Sequence, residues 1–236
     1  MFSVALIGAD GAGKSTIARK LESSFQLPAR CLYMGINLES TNIALPTSRF
    51  VGWIKRCQNG KAAARLTKPA SRNRSDTRQR KESGKLWAAL RLLNRLAEEW
   101  YRQLVAWNQQ RKGKIVVFDR YFLYDFQYSR TEADGKSRRF TDWFHRWCLA
   151  KLYPRPDLVI FLDAPAEVLF ARKREGTIQW LESRRQAFLR QGKQIPNFIR
   201  IDATQPVETV YADVAKHLLR YYQVQRAPTL GVSEIT

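Results

Sequence analysis

Phe2-Ser3-Val4-Ala5-Leu6-Ile7-Gly8-Ala9-Asp10-Gly11-Ala12-Gly13-Lys14-Ser15-Thr16 is the stretch whose reading decides the fold. Its first six residues form a short apolar run of the kind that makes a buried parallel strand. The run passes straight into G-x-x-x-x-G-K-S, and a helical pattern follows at Ile17, Ala18, Leu21 and Phe25. Strand, glycine-rich loop and helix in that order are the setting a phosphate-binding loop requires. Glycines let the backbone curl so that successive N–H groups point inward, making an anion nest at a helix N-terminus. Lys14 can reach the outer phosphates of a nucleotide, and the Ser15 hydroxyl is a hard oxygen ligand suited to Mg²⁺.

Downstream, Ala29 to Met34 reads as a second strand, Lys114 to Asp119 as a third, Asp157 to Asp163 as a fourth and Asn197 to Asp202 as a fifth. Helical patterns separate them. Lys85 to Lys112 is the clearest: Leu86, Leu90, Leu93, Ala97, Trp100, Leu104 and Trp107 recur at alternating steps of four and three, a stripe that predicts core packing. Aromatic-rich Phe140 to Leu152, the stretch opened by Pro165, Ile178 to Gln191, and Pro206 to Tyr222 are the remaining helices. Five strands alternating with helices predict an α/β fold: a three-layer arrangement with a five-stranded parallel sheet and helices on both faces. Residues 1–225 are expected to form a single domain and 226–236 a flexible tail.

The 236 residues carry 41 Lys and Arg against 21 Asp and Glu, a net charge of +20. Between Arg49 and Lys85 stand twelve basic residues and two acidic ones, Asp76 and Glu82. Half of the excess charge therefore sits in an apparent insertion, whose field attracts anions. Arg65 to Gly84 is poor in large apolar residues and predicts a mobile loop. No apolar run is long enough to span a membrane. The absence of a leader pattern and three widely spaced cysteines, Cys31, Cys57 and Cys148, point to a reducing, cytoplasmic setting.

The third strand delivers Asp119-Arg120-Tyr121 at its carboxyl end, where open parallel sheets gather functional groups. Asp119 can hold Mg²⁺ or its water shell, and Arg120 can grip the phosphate of an acceptor. The plainer alternative is an Asp that caps a helix and pairs with Arg120 on the surface.

Four features, taken in order, resemble the thymidylate kinase family of P-loop nucleoside monophosphate kinases. They are the loop Gly8–Thr16 with its Asp before the central glycine; Asp119-Arg120-Tyr121; Pro156 to Asp163 followed by Pro165 and Arg172; and Ile201-Asp202-Ala203. The resemblance implies a P-loop NTPase fold with a lid over about 172–192, ATP and Mg²⁺ as cofactors, and Ser15 with Asp119 at the metal. It implies that Arg172 and Arg174 close over the ATP phosphates, since Gly11 and Ala12 supply no charge in the loop itself. Asp202 and Ala203 would border the adenine. The acceptor side departs from the family: Tyr33-Met34-Gly35-Ile36-Asn37 stands in place of its Arg-(Phe/Tyr)-Pro stretch, Tyr124 in place of Ser and Ser129 in place of Gln.

Two functions follow. The first is an ATP-dependent phosphotransferase acting on an anionic small molecule, a nucleoside monophosphate by family default or a phosphorylated sugar or glycan precursor. The alternative is a nucleotide-switched module that binds a polyanion (nucleic acid, glycan or acidic membrane) through 49–85, where Phe50 and Trp53 interleave the basic residues. A homodimer is left open.

Overall fold

The computed structural model describes residues 1–35, 77–124 and 140–226. The described elements are β1 (Ser3–Ile7), α1 (Lys14–Ser24), β2 (Ala29–Tyr33), α2 (Thr77–Arg111), β3 (Ile115–Asp119), α3 (Phe140–Lys151), β4 (Leu158–Asp163), α4 (Ala166–Lys173), α5 (Ile178–Gly192), β5 (Phe198–Asp202) and α6 (Val207–Arg226). They fall into two compact units. One contains 1–35, 106–124 and 154–226, the other 77–105 and 140–153.

The first unit holds the sheet, all parallel, in the order β2-β3-β1-β4-β5. The chain leaves the central β1 towards one side and later returns to the other, so the switch in direction lies over the end of β1. Side chains alternate between faces. Val4, Leu6, Ile115, Val117, Leu158 and Ile160 share one core with Ile17 and Leu21 of α1 and Val214 and Leu218 of α6. Ala5, Val116, Phe118, Val159 and Phe161 are buried on the opposite face, where Phe188 of α5 stands 5.7 Å from Phe161 and Tyr121 stands 5.1 Å from Phe118. Both faces are covered, which is why these strands read as unbroken apolar runs rather than alternating ones.

Register aligns the carboxyl ends. Leu6 lies opposite Asp119 and Ile160, Tyr33 opposite Asp119, and Asp163 opposite Asp202. The loop that follows Ile7 and the carboxylates of Asp119, Asp163 and Asp202 thus share one edge of the sheet.

Three expectations are corrected. The stretch 77–84, expected within a mobile loop, is the first part of α2. Arg, Gln, Lys and Glu are good helix formers, so a polar segment can extend a helix anchored further along. Much of the stripe expected as core is exposed: Leu90, Leu93 and Leu104 are 47%, 62% and 55% accessible, while Trp100 is half-buried and Glu98, Glu99, Arg102 and Gln103 are buried. Periodicity reports which residues share a face, not which face turns inward. Finally, α6 continues to Arg226, past the Tyr222 end expected for the last helix. There the Arg226 guanidinium lies 4.8 Å from the Tyr222 ring and Gln225 Nε2 donates to the Tyr221 hydroxyl at 3.2 Å.

The loops expected at 37–47 and 130–138, the basic stretch 49–76 and the tail 227–236 lie outside the described residues. Among the described residues, no helix is long and apolar enough to cross a membrane.

Candidate active site

Backbone conformation shapes the loop. Gly11 has φ 90°, and a Cβ there would come within 2.7 Å of the Leu169 carbonyl oxygen. Gly13 caps α1 at φ 86°, a left-handed conformation that L-residues adopt only with strain. Lys14 opens the helix, is buried, and donates from Nζ to the carbonyls of Gly8 at 2.9 Å and Ala9 at 2.7 Å. Two of the ammonium's three donors therefore hold the loop's own backbone. Ser15 and Thr16, on the first turn, are exposed.

Asp10 joins this loop to two other elements. Its Oδ1 accepts from Arg120 Nη2 and its Oδ2 from Arg184 Nη1 of α5 at 3.1 Å. Burial raises the Asp10 carboxyl, but the positive charges of Arg120, Lys14 and Arg184 outweigh it and hold the group below its ordinary 3.8. Arg120 adopts φ 68°, uncommon for a residue with a side chain and the kind of backbone strain that collects at functional sites. Its amide donates to Leu6 at 3.2 Å, so the strained residue is pinned to the strand that leads into the loop.

Asp119 is 6% exposed, and its Oδ1 is buried with no hydrogen-bond partner among the described residues. An unpaired buried polar atom costs about 1–3 kcal/mol, and a charged one more. Such an oxygen beside an anion nest fits a divalent cation that completes its shell from Ser15, nucleotide phosphates and water, as Mg²⁺ does. No group of three or more His, Cys, Asp or Glu that could cage a metal occurs among the described residues. Cys31, one strand away, is pushed up to about 12 by burial and by the charge of Asp119, which keeps it a thiol. Tyr124 is buried within the ring cluster of Tyr121, and burial pushes its phenol up to about 12.

Arg172 sits elsewhere. Its Nη1 donates to the Ala203 carbonyl at 2.8 Å and its Nη2 to the Thr204 carbonyl at 3.3 Å. Asp202 shapes the same turn, accepting from the Thr204 amide at 2.9 Å and hydroxyl at 2.7 Å; these bonds lower its pKa. Arg174 caps α4 at φ 51° and is exposed. The arginine of the 172–192 stretch that reaches the loop is instead Arg184, which sequence reasoning passed over. A signal existed: Trp180, Arg184 and Phe188 recur every fourth residue, and the guanidinium lies 5.3 Å and 5.8 Å from those two rings. Stacking of this kind holds a buried arginine in one orientation.

Comparison with known proteins bears on the family and the fold. The family model described as thymidylate kinase matches residues 64–214. A protein of Methanosphaera stadtmanae named probable thymidylate kinase is 28% identical over 227 residues, covering 94% of this chain and 99% of its own. A thymidylate kinase of Fervidobacterium nodosum is 29% identical over 119 residues, 45% of this chain and 56% of its own. Among solved structures, the deoxyadenosine kinase of M. mycoides with bound dATP aligns with a TM-score of 0.52 at 17% identity, covering 92% of this chain and 98% of that one. The same enzyme with products dCMP and a flexible dCDP bound gives a TM-score of 0.51 at 16% identity, covering 93% and 99%. At these identities the structural likeness is one of fold.

Proposed function

The chain belongs to the thymidylate kinase family and is a P-loop nucleotide kinase; on that premise we propose that it moves the γ-phosphoryl group of ATP to the phosphate of a nucleoside monophosphate. The observation that carries the proposal is the bare Oδ1 of Asp119 on the strand paired with β1, at the sheet edge where the glycine loop begins.

In this reading the loop amides from Gly8 to Thr16 and the Lys14 ammonium bind the ATP phosphates. Ser15 and Asp119 would hold Mg²⁺, which would supply positive charge to the ATP phosphates. Arg120 grips the acceptor phosphate, and Asp10 keeps that guanidinium oriented. The acceptor phosphate is largely dianionic at neutral pH because its second ionisation lies near about 6. One of its oxygens therefore attacks the γ-phosphorus without a general base. The new P–O bond forms as the bond to the β–γ bridging oxygen breaks, and ADP leaves with that electron pair. Catalysis then rests on in-line positioning and on cations around the transferring group. Arg184 supplies one of them, already aimed at the loop. Residues 172–192 act as the lid, and Arg172 with Asp202 and Ala203 lines the adenine side rather than the phosphate side.

ADP release measured with ATP and Mg²⁺ against a panel of ribo- and deoxynucleoside monophosphates tests the proposal. Saturable turnover with at least one of them is expected. Background rates with every member would overturn it.

A further inference from the structure

The end of β2 carries a glycine that makes room for a tyrosine. Tyr33 and Gly35 stand two residues apart, so they share a face of the strand. A Cβ on Gly35 would overlap the Tyr33 hydroxyl and come within 3.0 Å of the ring's Cε1. The phenol therefore leans along the strand into the place a side chain at 35 would take. Its hydroxyl stands level with residue 35, about 7 Å along from the Tyr33 backbone, at the carboxyl edge of the sheet.

Register fixes the neighbours. Tyr33 lies opposite Asp119, and Cys31 opposite Val117. Cys31 and Val117 belong to the core shared with Ile17 and Leu21 of α1. Tyr33 and Asp119, two residues further on, project on that same face, the side of the helix that begins at Lys14. Adjacent strands lie about 4.8 Å apart, so the phenol and the carboxylate start one strand spacing from each other. The Met34 amide donates to the Asp119 carbonyl at 3.2 Å and holds the end of β2 in that register. Tyr33 is half-buried, whereas Met34 and Gly35 are buried.

We propose that Tyr33 is a specificity-determining residue whose phenolic hydroxyl bonds to a hydroxyl on the sugar of the acceptor, and that Gly35 leaves the space it needs. The inference rests on the phosphotransfer reading given above and extends it to the acceptor's own chemistry. In that reading the adenine side is the β5 end, at Asp202 and Ala203, and the triphosphate lies at the loop after β1. In-line displacement sets the attacking group opposite the leaving group. The acceptor then enters over the other half of the sheet, β3 and after it β2. Arg120, which takes the acceptor phosphate, turns back towards the loop to meet Asp10. The group next to that phosphate, the sugar, falls towards β2, where the phenol of Tyr33 stands. A phenolic hydroxyl donates and accepts but brings no positive charge. It suits a sugar hydroxyl, whereas a second phosphate would call for a cation.

The test measures kcat/KM for the nucleoside monophosphate that turns over fastest, in its ribose, 2′-deoxyribose and 3′-deoxyribose forms. In the wild type, removing one of the two hydroxyls lowers kcat/KM by about three- to tenfold, the worth of one neutral hydrogen bond. Tyr33→Phe shows no such loss for that same hydroxyl, because its partner is already gone. Gly35→Ala, whose Cβ displaces the phenol, behaves like Tyr33→Phe. A wild type indifferent to both hydroxyls overturns the proposal. So does a Tyr33→Phe variant that slows all three forms alike, the mark of a packing defect, since the penalty for the missing hydroxyl is then intact. Background turnover with every monophosphate is a different failure: it removes the phosphotransfer reading itself, and this inference with it.

Discussion

Asp119 and Asp163 end the two strands that flank β1 on either side, on the same edge of one sheet, and both are almost fully buried. Their surroundings are opposite. Asp163 is saturated: Arg185 donates from Nε to Oδ1 at 2.6 Å and from Nη2 to Oδ2 at 3.2 Å, and Arg200 donates from Nε to Oδ2 at 2.7 Å. One carboxylate thus staples α5 and β5 to the end of β4. At Asp119 the adjacent arginine turns away to Asp10, and Oδ1 is left without a partner among the described residues. The same residue type at equivalent places is a structural tie in one case and, among the described residues, a carboxylate with an unpartnered oxygen in the other. Burial of an acid is therefore not the functional signal; burial without a partner is.

The largest expected effect strikes the loop that both carboxylates flank. Lys14→Ala lowers kcat by about 10²–10³-fold or more in steady-state assay, since in the proposed reaction it removes the cation that binds the ATP phosphates. Next comes the pair itself. Asp119→Asn lowers kcat by about 10²-fold while leaving ATP affinity, read by fluorescence titration, within a few-fold. Asp163→Asn behaves in the reverse manner. It strands two arginines beside a neutral amide and destabilises the fold by about 2–3 kcal/mol in urea melts, with kcat per folded molecule little changed. If Asp119→Asn proved the destabilising variant and Asp163→Asn the inactive one, the contrast between the two acids would be broken.

A smaller effect sharpens the role of Arg184. Arg184→Met is expected to lower kcat by about tenfold or more, with Arg184→Lys recovering only part because a lysine lacks the planar, stacked fork. Equal activity of Arg184→Met and wild type would leave the charge to Arg120 and Lys14. The smallest effect is a pH dependence. Asp10 is held below its ordinary 3.8 in the folded chain, so it contributes stability above that value, which is lost as pH falls through its lower folded value. Urea melts of wild type and Asp10→Asn are expected to differ at pH 7 and to converge in acid. Wild type gaining on the variant as pH falls would reverse the sign and refute the cation cluster.

Much of the framework was legible in local sequence. The apolar run of β1, the glycines and Lys14 name their own conformation and chemistry, and four further short apolar runs announce a covered parallel sheet. Asp119 could be found because carboxyl ends of parallel strands are where ligands meet the chain. Arg184 was harder, because the Trp180 and Phe188 spacing sets it apart from Arg185 beside it but names no partner: one reaches Asp10 and the other Asp163. A helix turns 100° per residue, so adjacent arginines diverge, and only packing decides which partner each meets. For α2 the pattern was read correctly and its direction was not, because a stripe of that spacing looks alike whether it faces inward or outward.

The amino-acid sequence by itself determined the order of strands and helices, the phosphate-binding loop and the large positive charge, since each depends on residues near one another in the chain. The tertiary structure alone decided which buried acid is bare, which arginine reaches the loop and which side of the long helix is wet. Those outcomes turn on partners between 22 and 174 residues apart, such as Arg185 with Asp163 and Arg184 with Asp10, and no local propensity encodes a meeting at that distance.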